Sequence, residues 1–483
     1  MNPYNAVRYP TLAKEHTHPD RLATIAAVYG MMPAPVECCR VLELGCGTGA
    51  NLVPMAYTLP GSEFTGIDVA AEPVRTGACR VAELGLRNIR LLTADIMDIG
   101  PDLGEFDYIM AHGVYSWVPE PVRDKLMAVC ARNLAPNGVA YISYNALPGC
   151  HLRRMVRDMM LYHVNGVEDP EQRMQQAFSL ASIIGQAQTD AGLRGEFEVV
   201  LERSAAVVYH DDLAEVNHPV YFHEFMRHAG AHGLEFLSEA SLVSSEGRLP
   251  EAARATLQAI ETDVIRREQY LDFFKLRRFR QTLLCHAGQP IERPARPDHV
   301  RGLWASSKAE PAGPPEGAAG AVEFRGEKGA AAKTVHPLAK AALSTLGGTW
   351  PRRMAFSELL DRIRAAAASS ATLEQDAAAL AEILWYTCRC GLVELHATPG
   401  RFVCKAGEHP EASAVARLEL RDGSQAPTLT HGVVEMEDEI GRRLVLLLDG
   451  TRDRAALAAE LGVPVSAVEN SLARLARLPL LVA

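Results

Sequence analysis

Residues 41–52, VLELGCGTGANL, run an apolar strand into glycines at 45, 47 and 49 and then into a helical pattern. Glycine permits a tight left-handed turn, and the backbone N–H groups at the start of the helix face whatever binds there. A nucleoside-bearing ligand suits such a turn. Sheets built around it are open, and they receive ligands at the carboxyl ends of their strands. Taken alone, Gly45, Gly47 and Ala50 also satisfy the dinucleotide fingerprint, so a nicotinamide oxidoreductase stays open on this feature.

Around the turn, apolar runs at 41–44, 63–68, 89–93, 106–111 and 138–143 alternate with helix-length stretches. This spacing predicts βαβ units and a mostly parallel, Rossmann-like α/β sheet. Two later runs, 234–237 and 280–285, flank a helical stretch at 250–275 and complete the same sheet. The expected division is a ligand-binding α/β domain from 1–160 and 218–287, with a helical insertion at 161–217. A flexible linker follows at 288–335, where Pro, Gly and Ala concentrate (RPARPD, AEPAGPPEGAAGA) and apolar burial is too small to offset chain entropy. Three helices and a small β element predict a winged-helix-like (α+β) domain at 336–404, and a second is expected at 405–483.

The whole chain of 483 residues is long enough for two to four domains, and its 48% apolar and 22% charged residues exclude global disorder. With 49 Lys and Arg against 59 Asp and Glu, the net charge of −10 repels a phosphate backbone, so nucleic acid is a disfavoured partner. The acidic run at 435–439 points the C-terminal region towards protein recognition instead. Ten cysteines without a repeated CxxC pair read as free thiols in a reducing compartment, and no zinc site is expected. No apolar run approaches the ~18 residues of a membrane span, and the N-terminus carries no export pattern, so the expected location is cytoplasmic.

Carboxylates stand at the strand ends. Glu43 precedes the first glycine, Asp68 ends the second strand and Asp95 the third. They suit a ligand whose ribose hydroxyls and adenine amino group need acceptors. The fourth strand leads into His112, Tyr115 and Trp117 over the same crevice. This ordered set resembles the class I S-adenosylmethionine-dependent methyltransferases. YNAVRYPTLAKEHTHPDRLATIAAVYG, YNALPG and REQYLDFFKLRRFRQTLLCH resemble, more narrowly, the bacterial proteins that carry a methyltransferase regulatory domain, including rickettsial protein-lysine methyltransferases with a winged-helix C-terminal region.

The resemblance implies a seven-stranded methyltransferase sheet and S-adenosyl-L-methionine as cofactor. Gly45, Gly47 and Gly49 then approach its methionine part, Asp68 accepts from the ribose, and Asp95 with the Ile96 N–H reads the adenine. Glu43 supports the glycine loop or, through water, the methionine ammonium, and His112 lines the methionyl end. A homodimer through the helical insertion is implied by the likeness alone. The acceptor is expected to be a protein side chain, lysine foremost. A small-molecule O- or N-acceptor, and a regulatory scaffold that only senses the cofactor, are the alternatives. Tyr4, Tyr9, His18, Tyr115, Trp117, Tyr144 and Asn145 are candidates for the acceptor mouth, with Tyr9 and Tyr115 lining it and His112 or Asn145 positioning the acceptor. The bland readings are that His18 neighbours a helix cap set by Thr17 or Asp20, that His210, Asp211, Asp212 and His218 are surface polar residues, and that the basic run 275–280 is a strand entry.

Overall fold

The computed structural model describes residue 7 and residues 9–244, 246–314 and 320–483. Seven strands form the central sheet: β1 Arg40–Leu44, β2 Glu63–Asp68, β3 Ile89–Thr93, β4 Phe106–Ala111, β5 Leu134–Asn145, β6 Leu234–Glu239 and β7 Phe279–His286. Their order is β3-β2-β1-β4-β5-β7-β6. Strands β1 to β5 pair in parallel, and β7 runs antiparallel between β5 and β6. The strand order therefore reverses between β1 and β4, which opens a crevice at the carboxyl ends.

Alternation along the strands sorts side chains into two cores. Val41, Tyr108, Met110, Val139 and Tyr141 face helices α1 (Pro19–Val28) and α2 (Leu52–Thr58). Helix α3 (Ala71–Glu83) follows β2. Leu42, Ile109, Ala111, Ala140 and Ile142 face the opposite side, where α4 (Glu120–Asn133) supplies Leu126 and Met127. The insertion folds as α5 (His151–His163), α6 (Pro170–Ala187) and α7 (Ala191–Leu201) around its own core of Val156, Met160, Ala181 and Phe197. Helix α8 (Phe222–Ala231) then returns to the sheet, with Phe225 and Met226 in the α4 core. The 250–275 stretch is two helices, α9 (Glu251–Ala259) and α10 (Val264–Lys275). The basic run enters β7, and its Arg280, fully buried, is neutralised by Asp272 at 2.8 Å and Glu239 at 2.7 Å.

The flexible linker expected at 288–335 is corrected by the structure. Val300, Leu303, Ala305, Ala309, Val322 and Phe324 are buried in the core shared with the sheet. Strand β8 (Trp304–Ser306) pairs between β12 (Met354–Ala355) and β13 (Glu394–His396), while β9 (Glu310–Pro311), β10 (Val322–Arg325) and β11 (Ala331–Thr334) form a small antiparallel sheet. Composition hid this because apolar residues are few here, and the partners of β8, Met354 and Leu395, lie far along the chain.

Helices α11 (Pro337–Thr349), α12 (Phe356–Ala367) and α13 (Leu373–Arg389) with β8, β12 and β13 form an α+β unit whose Leu338, Leu343, Leu359 and Leu380 continue the sheet's first core. Asp20 of α1 pins this unit. Its carboxylate accepts from the Ala397 N–H at 2.8 Å and the Thr398 N–H at 3.1 Å, and lies 3.1 Å from both Arg353 and His396 Nδ1. Burial alone would raise the Asp20 carboxyl, but Arg353 and His396 hold it well below the usual range. Ser306 Oγ lies 2.9 Å from His396 Nε2, which makes a Ser–His–Asp chain, but Ser306 is only 1% exposed. The chain is an interface pin, closed to any substrate.

The last unit has a separate core and comprises α14 (Ala414–Asp422), the hairpin β14 (Gln425–Pro427) and β15 (Val433–Glu435), α15 (Glu439–Leu447), α16 (Arg454–Leu461) and α17 (Val465–Arg477). It docks on the central domain through Arg80–Glu419 at 2.8 Å and through His431. Among the described residues no helix is long and apolar enough to cross a membrane.

Candidate functional site

The turn after β1 is closed by two bonds, as the Gly45 and Cys46 N–H groups both donate to the Ile67 carbonyl, at 2.8 and 3.1 Å. Gly45 has φ +76°, and a Cβ there would stand 2.6 Å from Val114 Cγ2, so any other residue would be strained at this position. At the tip of β2, Asp68 braces the turn: Oδ2 accepts from the Gly47 N–H and Oδ1 from the Ala70 N–H, each at 2.8 Å. After β3, Asp95 caps the turn Ile96–Asp98 by accepting from the Met97 N–H at 2.9 Å.

Glu43 lies behind the turn and is only 4% exposed. Its Oε1 accepts from Asn51 Nδ2 at 2.8 Å, while Oε2 is buried without a hydrogen-bond partner. Burial pushes the Glu43 carboxyl up to about 8, Asn51 opposes this, and the neighbouring Asp68 adds to it. Asn51 is a junction as well: its Oδ1 accepts from the Lys14 N–H and lies 2.9 Å from His431 Nε2 of the last unit. The C-terminal region thus touches the residue that holds Glu43.

These groups line one cavity of about 690 Å³ that runs across the strand tips. Its wall includes Gly45, Gly47, Asp68, Asp95 and Ile96 towards β3, and His112, Asn145 and Phe279 towards β7. Glu43, Tyr9 and Trp117 also line it. Of the expected site residues, Gly49 and Tyr115 stand outside the wall. Gly49 is a turn residue, donating to the Cys46 carbonyl at 2.8 Å. Tyr115, expected as a lining group, is 3% exposed, its ring centroid 5.1 Å from Phe225 and its hydroxyl 2.9 Å from His228 Nδ1. The single turn after β4 rotates it into the aromatic core. Tyr144 is buried in the same cluster, stacked on Phe225 at 4.0 Å. His18 is itself the N-cap of α1, accepting from the Asp20 N–H at 3.1 Å, so the helix starts two residues before Arg21. Tyr4 lies outside the described residues.

Near β4 and β5, His112 Nδ1 lies 2.9 Å from the Tyr141 hydroxyl, and burial pushes the imidazole down to about 3, so it is neutral near pH 7. Asn145 is fixed by its backbone, which donates to Ser116 Oγ at 2.9 Å. The segment 210–212 is also corrected: His210 and Asp212 are buried, and Asp211 lines the cavity, where the Tyr9 hydroxyl hydrogen-bonds to it. Burial and the adjacent Asp212 raise Asp211 to about 6. Asp212 accepts from Arg153 Nε at 2.8 Å. Arg153, Arg154, Arg203 and Arg278 complete a basic rim around this pair. Sequence reading missed Asp211 and Asn51. Asn51 stood inside the glycine motif, one turn from the strand it supports. Asp211 had no local signal, since only folding brings it to Tyr9.

Three family models match the chain: "Methyltransferase domain" over residues 41–138, "Predicted methyltransferase regulatory domain" over 204–286, and "PKMT, C-terminal winged helix domain" over 408–476. The uncharacterized protein RP789 of Rickettsia prowazekii is 39% identical over 307 residues, covering 62% of this chain and 55% of that protein. The chain therefore matches about half the length of RP789. RP028 of the same organism is 35% identical over 232 residues, covering 47% of this chain and 93% of that protein. Among solved structures, PKMT2 from Rickettsia typhi in complex with AdoHcy superposes with a TM-score of 0.86 at 26% identity, over 98% of this chain and all of that one.

Proposed function

Because this chain belongs to the S-adenosylmethionine-dependent methyltransferases that carry a methyltransferase regulatory domain and a PKMT-type winged helix, we propose that it methylates lysine side chains of a protein. The observation that carries this reading is the continuity of one cavity, from the glycine turn and strand-tip acids to the Tyr9–Asp211 pair. The residues fit the cofactor. The partnerless oxygen of Glu43 lacks a donor, and an ammonium group is one. Asp68 and Asp95 each retain acceptor capacity beyond their backbone bonds.

In this reading Gly45 and Gly47 admit the methionyl part against the backbone, Glu43 holds its ammonium, Asp68 takes the ribose and Asp95 with Ile96 the adenine. When bound, S-adenosylmethionine supplies an electrophilic methyl group on its sulfonium sulfur. The protein's task is alignment and exclusion of water, which lowers a barrier by ~7–11 kcal/mol. Tyr9, His112 and Asn145 position the acceptor.

A lysine must lose its proton before it can attack. At an ordinary pKa near 10.4 this costs about 4–5 kcal/mol at pH 7. Withdrawal from water within the cavity lowers that cost, because burial disfavours the charged ammonium. Asp211, raised to about 6, receives the proton directly or through water. The neutral His112 beside the cavity adds no charge.

The test is transfer of labelled methyl groups from S-adenosylmethionine into a lysate of the source cell, followed by acid hydrolysis. Label in Nε-methyllysine supports the proposal. Label confined to small molecules, or to other side chains, overturns it.

A further inference from the structure

Away from the cavity, on the face covered by α4 and α8, Asp124, His228 and His232 bring three donor atoms within 4.8 Å of one another. We propose that they form a binding site for one divalent transition-metal ion of the zinc type, which clamps α4 to α8.

Four features support this. First, His228 and His232 stand four residues apart, so the end of α8 presents both imidazoles on one face. Their ring centroids are 5.5 Å apart. Second, the donors already converge on one point. Asp124 Oδ1 lies 2.8 Å from His232 Nε2 and 3.3 Å from His228 Nε2. With metal–ligand bonds of about 2.0–2.2 Å, neighbouring donors in a tetrahedral site lie about 3.3–3.5 Å apart, so the Asp124–His228 spacing already suits an ion and the Asp124–His232 spacing has only to open by roughly half an ångström. Third, no lysine or arginine pairs with Asp124 among the described residues, which leaves its charge for a cation. Fourth, His228 has an outer partner: its Nδ1 lies 2.9 Å from the Tyr115 hydroxyl.

That hydroxyl makes the exchange chemically simple. Without metal, the His228 Nε2–H donates to Asp124, and Nδ1 accepts from the Tyr115 O–H. With metal, Nε2 becomes the ligand and its proton sits on Nδ1, which then donates to the same hydroxyl oxygen. A tyrosine hydroxyl can accept as well as donate, so His228 Nδ1 keeps its partner in both forms.

Asp124 is exposed and the two histidines half-buried, so solvent completes the coordination shell. Nitrogen and carboxylate donors without thiolate favour Zn²⁺, Co²⁺ or Ni²⁺ over Ca²⁺ or Mg²⁺. Asp124 belongs to the stretch matched as the methyltransferase domain, and His228 and His232 to the stretch matched as the regulatory domain. The ion therefore joins the two matched regions on the side of the sheet opposite α1 and α2.

Cobalt(II) titration of the full chain, followed by its visible spectrum, tests the site. Exposed Cys38, Cys79 and Cys404 are competing ligands, and thiolate charge transfer distinguishes them from a nitrogen and oxygen set. The expected result is one equivalent bound without thiolate bands and displaced by Zn²⁺. Affinity should fall at least tenfold in His232→Ala and in Asp124→Ala, and roughly 10–100-fold in Tyr115→Phe, the outer partner. Far-UV circular dichroism of the metal-free variants should match the parent. No saturable uptake, a thiolate spectrum, or equal binding by the His232 and Asp124 variants would overturn the proposal.

Discussion

Protonation of Glu43 should govern cofactor affinity. The carboxyl, pushed up to about 8, is mostly neutral at pH 7. Against an ordinary carboxyl near 4.3, keeping it charged in the free protein costs about 5 kcal/mol at ~1.36 kcal/mol per unit. The sign for stability follows: with a folded value raised above the unfolded one, Glu43's contribution is fully present below about pH 4 and is lost as pH rises through about 8. Binding reverses the preference, because an ammonium beside Oε2 favours the carboxylate. Each binding event then releases one proton. The association constant follows the ionised fraction of free Glu43 and rises about fiftyfold between pH 6 and pH 8. Calorimetric titration with S-adenosylhomocysteine at several pH values, in buffers of different ionisation enthalpy, measures both the slope and the proton count. Glu43→Gln should flatten the slope and raise the melting temperature of the free protein above pH 8. An affinity independent of pH with no proton release, or the same slope in Glu43→Gln, would refute the reasoning.

Gly45→Ala forces a Cβ to within 2.6 Å of Val114 at a left-handed φ, so thermal unfolding should show a loss of about 1–3 kcal/mol together with weakened cofactor binding. Asp20→Ala leaves Arg353 and His396 buried without their acceptor and should cost about 3–5 kcal/mol in urea unfolding. Since the Asp20 carboxyl is held low, its stabilisation in the parent is present above the ordinary carboxylate range and is lost as pH falls below it. His431→Ala removes the hydrogen bond to Asn51 and should weaken cofactor binding several-fold, leaving the Glu43-linked pH slope in place; equilibrium dialysis checks the first and calorimetry the second.

What could be read along the chain was local. The glycine turn, the short apolar strand runs and the acids at strand tips are set by neighbours in sequence, and the turn and the acids stand together in one crevice. Tyr115 follows the β4 tip directly, yet one turn rotates it into a cluster with Tyr144 and Phe225, whose partnership depends on β5 and α8. Asp211 lines the cavity beside Tyr9, and the adjacent His210 Nε2 lies 2.7 Å from the Val7 carbonyl, contacts between distant parts of the chain. The segment around Trp304 is poor in strand formers and rich in breakers. Its order comes from partners on either side, Met354 and Leu395, that pair with Ala305. Contacts of this separation leave no trace in periodicity or composition.

The central claim is that S-adenosylmethionine lies across the strand tips, with Asp68 bracing the glycine turn. Calorimetric titration of the parent chain and Asp68→Ala with S-adenosylhomocysteine and with NAD tests it most directly. The account predicts one site for S-adenosylhomocysteine in the parent, roughly 10–100-fold weaker binding in Asp68→Ala from the loss of two charge-assisted backbone bonds, and no heat with NAD. Equal binding by Asp68→Ala, or preferential binding of NAD, would contradict it.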